Sequence, residues 1–220
     1  MSQTDPQAMR LWDLPTRLFH WLLVALVLAA WLTARFGYVA WHMRCGAVLL
    51  SLAGFRIAWG LVGSTTARFA SFVRGPRALL DYLAELRRGT PPHVAGHNPA
   101  GGLMVVVLLG LLCAQLATGL AANDDLHANG PLALTIGKAW SDRLTRLHSQ
   151  LFDVLAACAW AHVVAIGYYA LVLRDNLVRP MLGGRRAGLA PPEPPLRFVH
   201  PAWALLCWLV AFAGVALLFR

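Results

Sequence analysis

Five stretches of the chain are apolar for long enough to cross a bilayer, which takes about 20 residues. They run from Leu18 to Ala34, about Ala40 to Val62, Pro99 to Ala122, His148 to Leu173 and Pro201 to Phe219. The third and fifth carry no charge, and the fourth holds only Asp153. The second contains His42, Arg44 and Arg56, and the first is bracketed by Arg17 and Arg35. The first lacks a small-x-small cleavage site and holds His20, so it reads as a retained helix and not as a signal peptide. No internal repeat and no second soluble domain is visible, and the Pro-rich stretch Ala190 to Pro195 is a short linker before the last helix. The expected fold is all-α and integral to a membrane: a four-helix bundle plus a fifth, C-terminal transmembrane helix.

Composition agrees with the pattern. Apolar residues make up 58% of the 220 and charged residues 13%, against about 25% charged in an ordinary soluble domain. The mean hydropathy is +0.57. A formal charge of +9 invites a nucleic-acid reading, but the basic residues lie in short loops between apolar runs, where they set orientation. Arg10, Arg17, Arg68, Arg74, Arg77, Arg87, Arg88, Arg174, Arg179, Arg185, Arg186 and Arg197 fall on one side. Arg35, Arg44, Lys138, Arg143, Arg146 and Arg220 fall on the other. The richer side is expected to be cytoplasmic, with the N-terminus inside a bacterial inner membrane and, after five crossings, the C-terminus outside. The cysteines Cys45, Cys113, Cys158 and Cys207 are scattered through apolar stretches. No CxxC or CxxCH occurs, which excludes a thiol-metal site of that kind and the usual covalent haem attachment.

Ionisable residues inside membrane spans are costly and mark function by default. Four of the eight histidines lie in spans: His20, His42, His148 and His162. His148 and His162 are fourteen residues apart on one predicted helix, about 40° short of four full turns, so both project from one face about 21 Å apart. His20 opens the first span at the depth of His162, and His42 opens the second at the depth of His148. Two pairs result, His20 with His162 and His42 with His148, one at each side of the bilayer. A planar macrocycle ligated by imidazole from both faces needs such opposed histidines on neighbouring helices. Zinc or copper fits poorly, because ligands so far apart cannot converge on one ion.

Other residues add less. Gly46, Gly54, Gly101, Gly102, Gly110 and Gly119 let a macrocycle approach the backbone, and equally allow close helix packing. Trp12, Trp21, Trp41, Trp59 and Trp140 sit near span ends, as an interfacial belt does. Arg56, at the cytoplasmic end of the second span, needs a counter-charge, which a haem propionate or a lipid phosphate supplies. His93, His97, His127 and His200 lie in loops or at span ends. Among these, His97 is the candidate for a binding role at the entrance of the third span, against a solvated or capping role.

The segment from Trp12 through Asp13, Leu14, Pro15, Thr16, Arg17, Leu18, Phe19 and His20 to Trp21 resembles the opening of prokaryotic di-haem cytochrome b561 proteins. The related cytochrome b subunits of nickel-iron hydrogenases open in the same way. Phe55 to Ser64 with Ala67, Arg68, Phe69, Phe72 and Val73 is similar to the same family. So are Gly96 to Gly102, at the start of the third helix, and Asn176 to Met181, after the two-histidine helix. The resemblance covers about residues 10–186. It implies a di-haem transmembrane bundle over 1–186, followed by a linker and extra helix over 187–220. It also implies two non-covalent b haems, with His20, His42, His148 and His162 as axial ligands of the haem iron, and electron exchange between quinone and a redox partner in a respiratory chain. The partner is expected to be a c-type cytochrome, a dehydrogenase or a hydrogenase, and a homodimer is compatible with this. Ser149 departs from the Glu that many relatives carry after the first helix-four histidine.

The leading expectation is therefore an electron-transfer cytochrome, able to serve as the quinone-reactive subunit of an oxidoreductase. One alternative is a superoxide:quinone oxidoreductase acting alone. The outer loop argues weakly against it, because Asp124, Asp125 and Asp142 are mixed with Lys138, Arg143 and Arg146 where anion steering needs a basic funnel. The other alternative, a cofactor-free transporter or assembly protein, lacks repeated halves.

Overall fold

Three of the five long helices of this protein begin where the sequence supplies a side-chain cap. The computed structural model describes residues 8–89, 94–126, 128–189 and 191–219. Helix α1 (Leu14–Arg35) starts at Asp13, whose carboxylate accepts the Thr16 amide at 2.8 Å, with Pro15 in the first turn. Proline suits that position because its missing N–H is one the helix cannot satisfy anyway. Helix α2 (Val39–Val62) returns across the bundle. Asn98 caps the apolar α5 (Pro99–Leu120) by accepting the Gly101 amide at 2.7 Å. The last helix, α9 (Pro201–Leu218), is capped by His200, which accepts the Ala202 amide at 3.2 Å. His200 thus has a structural use.

Short elements fill the connections: α3 (Phe69–Phe72), the amphipathic α4 (Pro76–Arg87), α6 (Ala133–Ile136) and α8 (Val178–Gly183). The longest helix, α7 (Lys138–Leu171), has 34 residues, about 51 Å at 1.5 Å per residue. It begins ten residues before His148, where the sequence placed the span boundary. Those ten residues mix Lys138, Asp142, Arg143 and Arg146 with Trp140, Leu144 and Leu147, and where the sequence predicts a loop they continue the helix. Helices α1, α2, α5, α7 and α9 are each long and apolar enough to span a membrane.

The helices alternate in direction, so the start of α1, the end of α2 and the end of α7 share the near end of the bundle. The start of α2, the end of α5 and residue 148 of α7 share the far end. Packing is uneven: α1 lies along α2, α2 along α9 and α5 along α7, with a narrower seam joining α2 to α5. Helices α1 and α7 do not pack along each other. One core cluster joins Phe19, Leu52, Phe55, Trp59, Ala67 and Ala204 at the near end, and a second joins Ala30, Leu49, Ala53, Leu112 and Leu116. The outward faces are apolar and exposed, as lipid contact requires.

The near end is tied down by the chain's first described residues. Strand β1 (Met9–Arg10) pairs antiparallel with β2 (Arg185–Arg186). The Leu11 amide donates to the Gly184 carbonyl at 2.8 Å. Gly184 adopts φ +77°, and a Cβ there would meet the Trp12 carbonyl at 3.0 Å. Buried Asp13 also accepts the Trp59 indole at 3.1 Å, and Thr66 donates to the Leu11 carbonyl at 2.8 Å. This lattice fixes the cap of α1 against the end of α2.

Candidate functional site

The two histidines of α7 lie on one face, as a fourteen-residue separation dictates, and each meets a different partner helix. At the far end, His42 of α2 and His148 of α7 stand with ring centroids 6.1 Å apart and planes 86° to each other. Their remaining nitrogens are held. His42 Nδ1 lies 2.9 Å from the Ala30 carbonyl of α1, and His148 Nδ1 lies 2.9 Å from the Gln115 carbonyl of α5. A carbonyl only accepts, so both Nδ1 atoms donate and both Nε2 atoms keep a lone pair. The His148 Nε2 lone pair accepts from the Gln115 side-chain amide at 3.2 Å, and Thr118 Oγ1 lies 3.3 Å from Nδ1.

Gly119 makes room for this arrangement, since a Cβ there would come within 2.9 Å of His148 Cε1. A cavity of about 70 Å³ lies beside the two rings, lined also by Met43, Gly46 and Phe219.

At the near end, His20 of α1 is partly buried, its ring 4.9 Å from that of Trp21. Its Nδ1 is enclosed and has no hydrogen-bond partner among the described residues. His162 lies within electrostatic reach of it. His97, just before α5, sits between Trp12 and Phe72 at centroid distances of 4.7 and 4.5 Å, with its own Nδ1 enclosed and unpartnered. Burial pushes the His97 imidazole down to about 3, and Arg56, His162 and His20 act in the same direction. All four groups thus lie at the near end, within electrostatic range of His97. Arg56 is 4% exposed, with its guanidinium 5.0 Å from the Phe69 ring centroid and Nη1 unpartnered. Asp13 acts on Arg56 electrostatically, but its two oxygens already serve the α1 cap and Trp59.

All six residues singled out from the sequence therefore fall at two ends of the bundle: His42 and His148 at the far end, His20, His162, Arg56 and His97 at the near end. His93 and His127 lie outside the described residues. Among the described residues no cluster of three or more His, Cys, Asp or Glu could hold a metal ion, and the four cysteines are free.

Sequence reasoning missed several neighbours. Gln115 and Thr118 orient His148, and Arg17, one turn before His20, keeps an enclosed Nε without a partner while donating through Nη1 to the Leu182 carbonyl. The Tyr82 hydroxyl of α4 hydrogen-bonds the Tyr169 hydroxyl of α7, to which Asn98 also donates at 3.1 Å. Burial and the bond to Tyr169 raise the Tyr82 phenol well above its ordinary value. Tyr169 stands seven residues beyond His162 on the same face, a spacing the sequence did contain.

The sequence model of the family described as prokaryotic cytochrome b561 matches residues 11–184. No curated protein and no solved structure matches the chain.

Proposed function

Because the chain belongs to the prokaryotic cytochrome b561 family, a family of membrane b-type cytochromes that transfer electrons, we propose that it holds two b haems, exchanges electrons with quinone and passes them to or from a redox partner protein. His42 and His148 are the axial ligands of one haem, and His20 and His162 of the other.

The observation that carries this reading is the geometry of the far pair. A metal–imidazole bond is about 2 Å and a ring centroid lies about 1.1 Å behind its nitrogen, so two imidazoles on one ion stand about 6 Å apart. The rings of His42 and His148 have that spacing before any ion is considered. Their Nδ1 atoms are tied to backbone carbonyls, the usual way a ligating histidine is fixed in one tautomer. The near end fits the group for a different reason. Arg56, His97 and Arg17 present enclosed nitrogens without partners among the described residues, and a propionate supplies the acceptors and the negative charge they lack.

When bound, b haem would supply a one-electron carrier, held by the two histidine pairs. The chain's own residues do the rest. Ala30 and Gln115 hold the far imidazoles in register, Gly119 admits His148, and Arg56 with His97 receives the anionic edge at the near end. We place the N-terminus in the cytoplasm of a cell with an inner membrane, on the Lys/Arg asymmetry, with residues 1–186 as the cytochrome unit and 187–220 as an added linker and helix.

The test is a reduced-minus-oxidised spectrum with haem quantitation on purified protein, followed by quinol addition. Two haems per chain, a low-spin spectrum that carbon monoxide leaves unchanged and rapid reduction by quinol are expected. One haem per chain, or a large carbon monoxide shift, overturns the di-haem relay. For orientation, reporter fusions at Arg88 and Arg186 should read cytoplasmic and one at Lys138 external.

A further inference from the structure

Helix α4 buries only one of its two apolar sides. Tyr82 is 3% exposed, and Leu79 and Leu86 beside it are half-buried. At about 100° per residue, Leu80, Leu83 and Arg87 form a second stripe, roughly 100–160° round from Tyr82. Leu80 is 66% exposed and Leu83 39%. By the same spacing Arg77 and Arg88 border that stripe, with Asp81 and Glu85 further round. The ion pairs among the described residues lie elsewhere. Arg77, Arg87 and Arg88 therefore meet no carboxylate there, although Asp81 stands one turn from Arg77.

Two observations say what covers the stripe. The first is depth. The Tyr82 hydroxyl hydrogen-bonds the Tyr169 hydroxyl near the end of α7, and Asn98, which caps α5, donates to the same oxygen. Helix α4 also packs against α5, and α5 and α7 are both long and apolar enough to span. The buried side of α4 is thus fastened where two spans meet the membrane surface. The second is charge. Water suits the three arginines but not Leu80 and Leu83, and hydrocarbon suits the leucines but not Arg87. The headgroup layer suits both, because an arginine lays its stem on apolar surface while its guanidinium reaches a phosphate. Helices with an apolar face and basic flanks lie in that layer and favour anionic lipid. A zwitterionic headgroup brings its own cation beside the phosphate and compensates an unpaired arginine less well.

We propose that α4 seats Leu80 and Leu83 in the near-side leaflet and binds anionic phospholipid headgroups through Arg77, Arg87 and Arg88. Tyr82, on the opposite side of the helix, is tied to Tyr169, two turns beyond His162. A seated α4 therefore also steadies the near end of α7. The inference rests on the membrane spans and is independent of the haem and quinone reading above.

The experiment uses the intact chain as purified, in nanodiscs of phosphatidylcholine alone or of a three-to-one mixture with phosphatidylglycerol. Lipids that stay bound on release are identified by native mass spectrometry, and hydrogen exchange is followed along α4 and at the end of α7. Phosphatidylglycerol should be retained well above its share of the mixture. Exchange across α4 should be slower in the mixed discs, and added salt should remove that difference. Arg77→Gln or Arg88→Gln should each lower the retention ratio about fivefold. Tyr82→Phe should leave the ratio intact while exchange at the end of α7 quickens. These arginines are on the surface, so their variants keep the test open where a leucine variant fails to fold. Equal retention of the two lipids, or a ratio that the arginine variants do not change, overturns the proposal. So does slowing in phosphatidylcholine discs by inorganic phosphate alone, which would make this a small-anion site. An α4 that exchanges freely in both discs would leave the stripe to a protein partner and overturn it as well. No change at α7 in Tyr82→Phe overturns the link between lipid and helix end.

Discussion

The two ends of the bundle reach the same purpose by opposite means. At the far end both imidazoles are fixed by backbone carbonyls of neighbouring helices, and the rings already stand 6.1 Å apart. At the near end His20 has no partner for Nδ1 among the described residues, and buried nitrogens on Arg17, Arg56 and His97 likewise find none there. Unsatisfied buried polar groups cost about 1–3 kcal/mol each, more when charged. The far site is thus organised by the fold, whereas the near site is completed by what it binds.

The largest test of this contrast removes ligands one at a time. His42→Ala or His148→Ala should leave one haem per chain with the near-end spectrum, and His20→Ala or His162→Ala should leave the far-end one. If any single substitution strips both haems, the two sites are not independent and the pairing is wrong. Next in size is Gly119→Val. The added carbon atoms collide with His148, so far-end haem affinity should fall about 10–100-fold, as when a ligand's support is lost. The near-end haem should be untouched, and equal losses at both ends would show general unfolding instead.

Arg56→Gln probes the other end and should act with opposite sign in the two forms. Haem-free protein loses a buried, poorly compensated cation, which by itself stabilises it. Haem-loaded protein loses a propionate partner, with near-end affinity down about tenfold. Thermal unfolding of both forms reads the two effects. A variant less stable in both would make Arg56 purely structural, held by its Phe69 contact.

What the sequence disclosed follows from what periodicity can carry. A fourteen-residue separation on one helix fixes face and height together, so the depth-matched histidines were legible without knowing how helices pack. The support of His148 by Gln115 and Thr118 depends on the register between α5 and α7, and nothing local encodes it. The first ten residues of α7 carry no apolar run, because Ser141, Asp142, Arg143 and Arg146 interrupt it; a helix whose outer turns face water keeps its hydrogen bonds but not its hydropathy. Helix α9 is apolar all round and offers no face to read, so its packing along α2 appears only once the helices are placed. The sequence offers His97 both a binding role and a solvated or capping one; its enclosure between Trp12 and Phe72, two aromatics from distant parts of the chain, goes against solvation and is not legible locally.

The smallest predicted effect concerns that histidine and uses pH in place of ligand. Burial holds the folded-state value of His97 at about 3, whereas an unfolded histidine titrates at about 6.5. Between these values the unfolded chain binds a proton that the folded chain does not, so stability rises with pH across the interval. His97 therefore contributes nothing to pH dependence above about 6.5, and below it destabilises the near end by at most about 1.4 kcal/mol per pH unit. Hydrogen exchange along residues 94–102 should accelerate as pH falls from 7 to 5, and His97→Phe should flatten that response, since phenylalanine keeps the packing against Trp12 and Phe72 without a titrating group. The amides around His42 in α2 serve as the internal reference, because His97 lies at the opposite end. Acceleration of equal size in both regions, or a response that persists in His97→Phe, would locate the acid-sensitive group elsewhere and remove the near end's claim to be the less self-sufficient half.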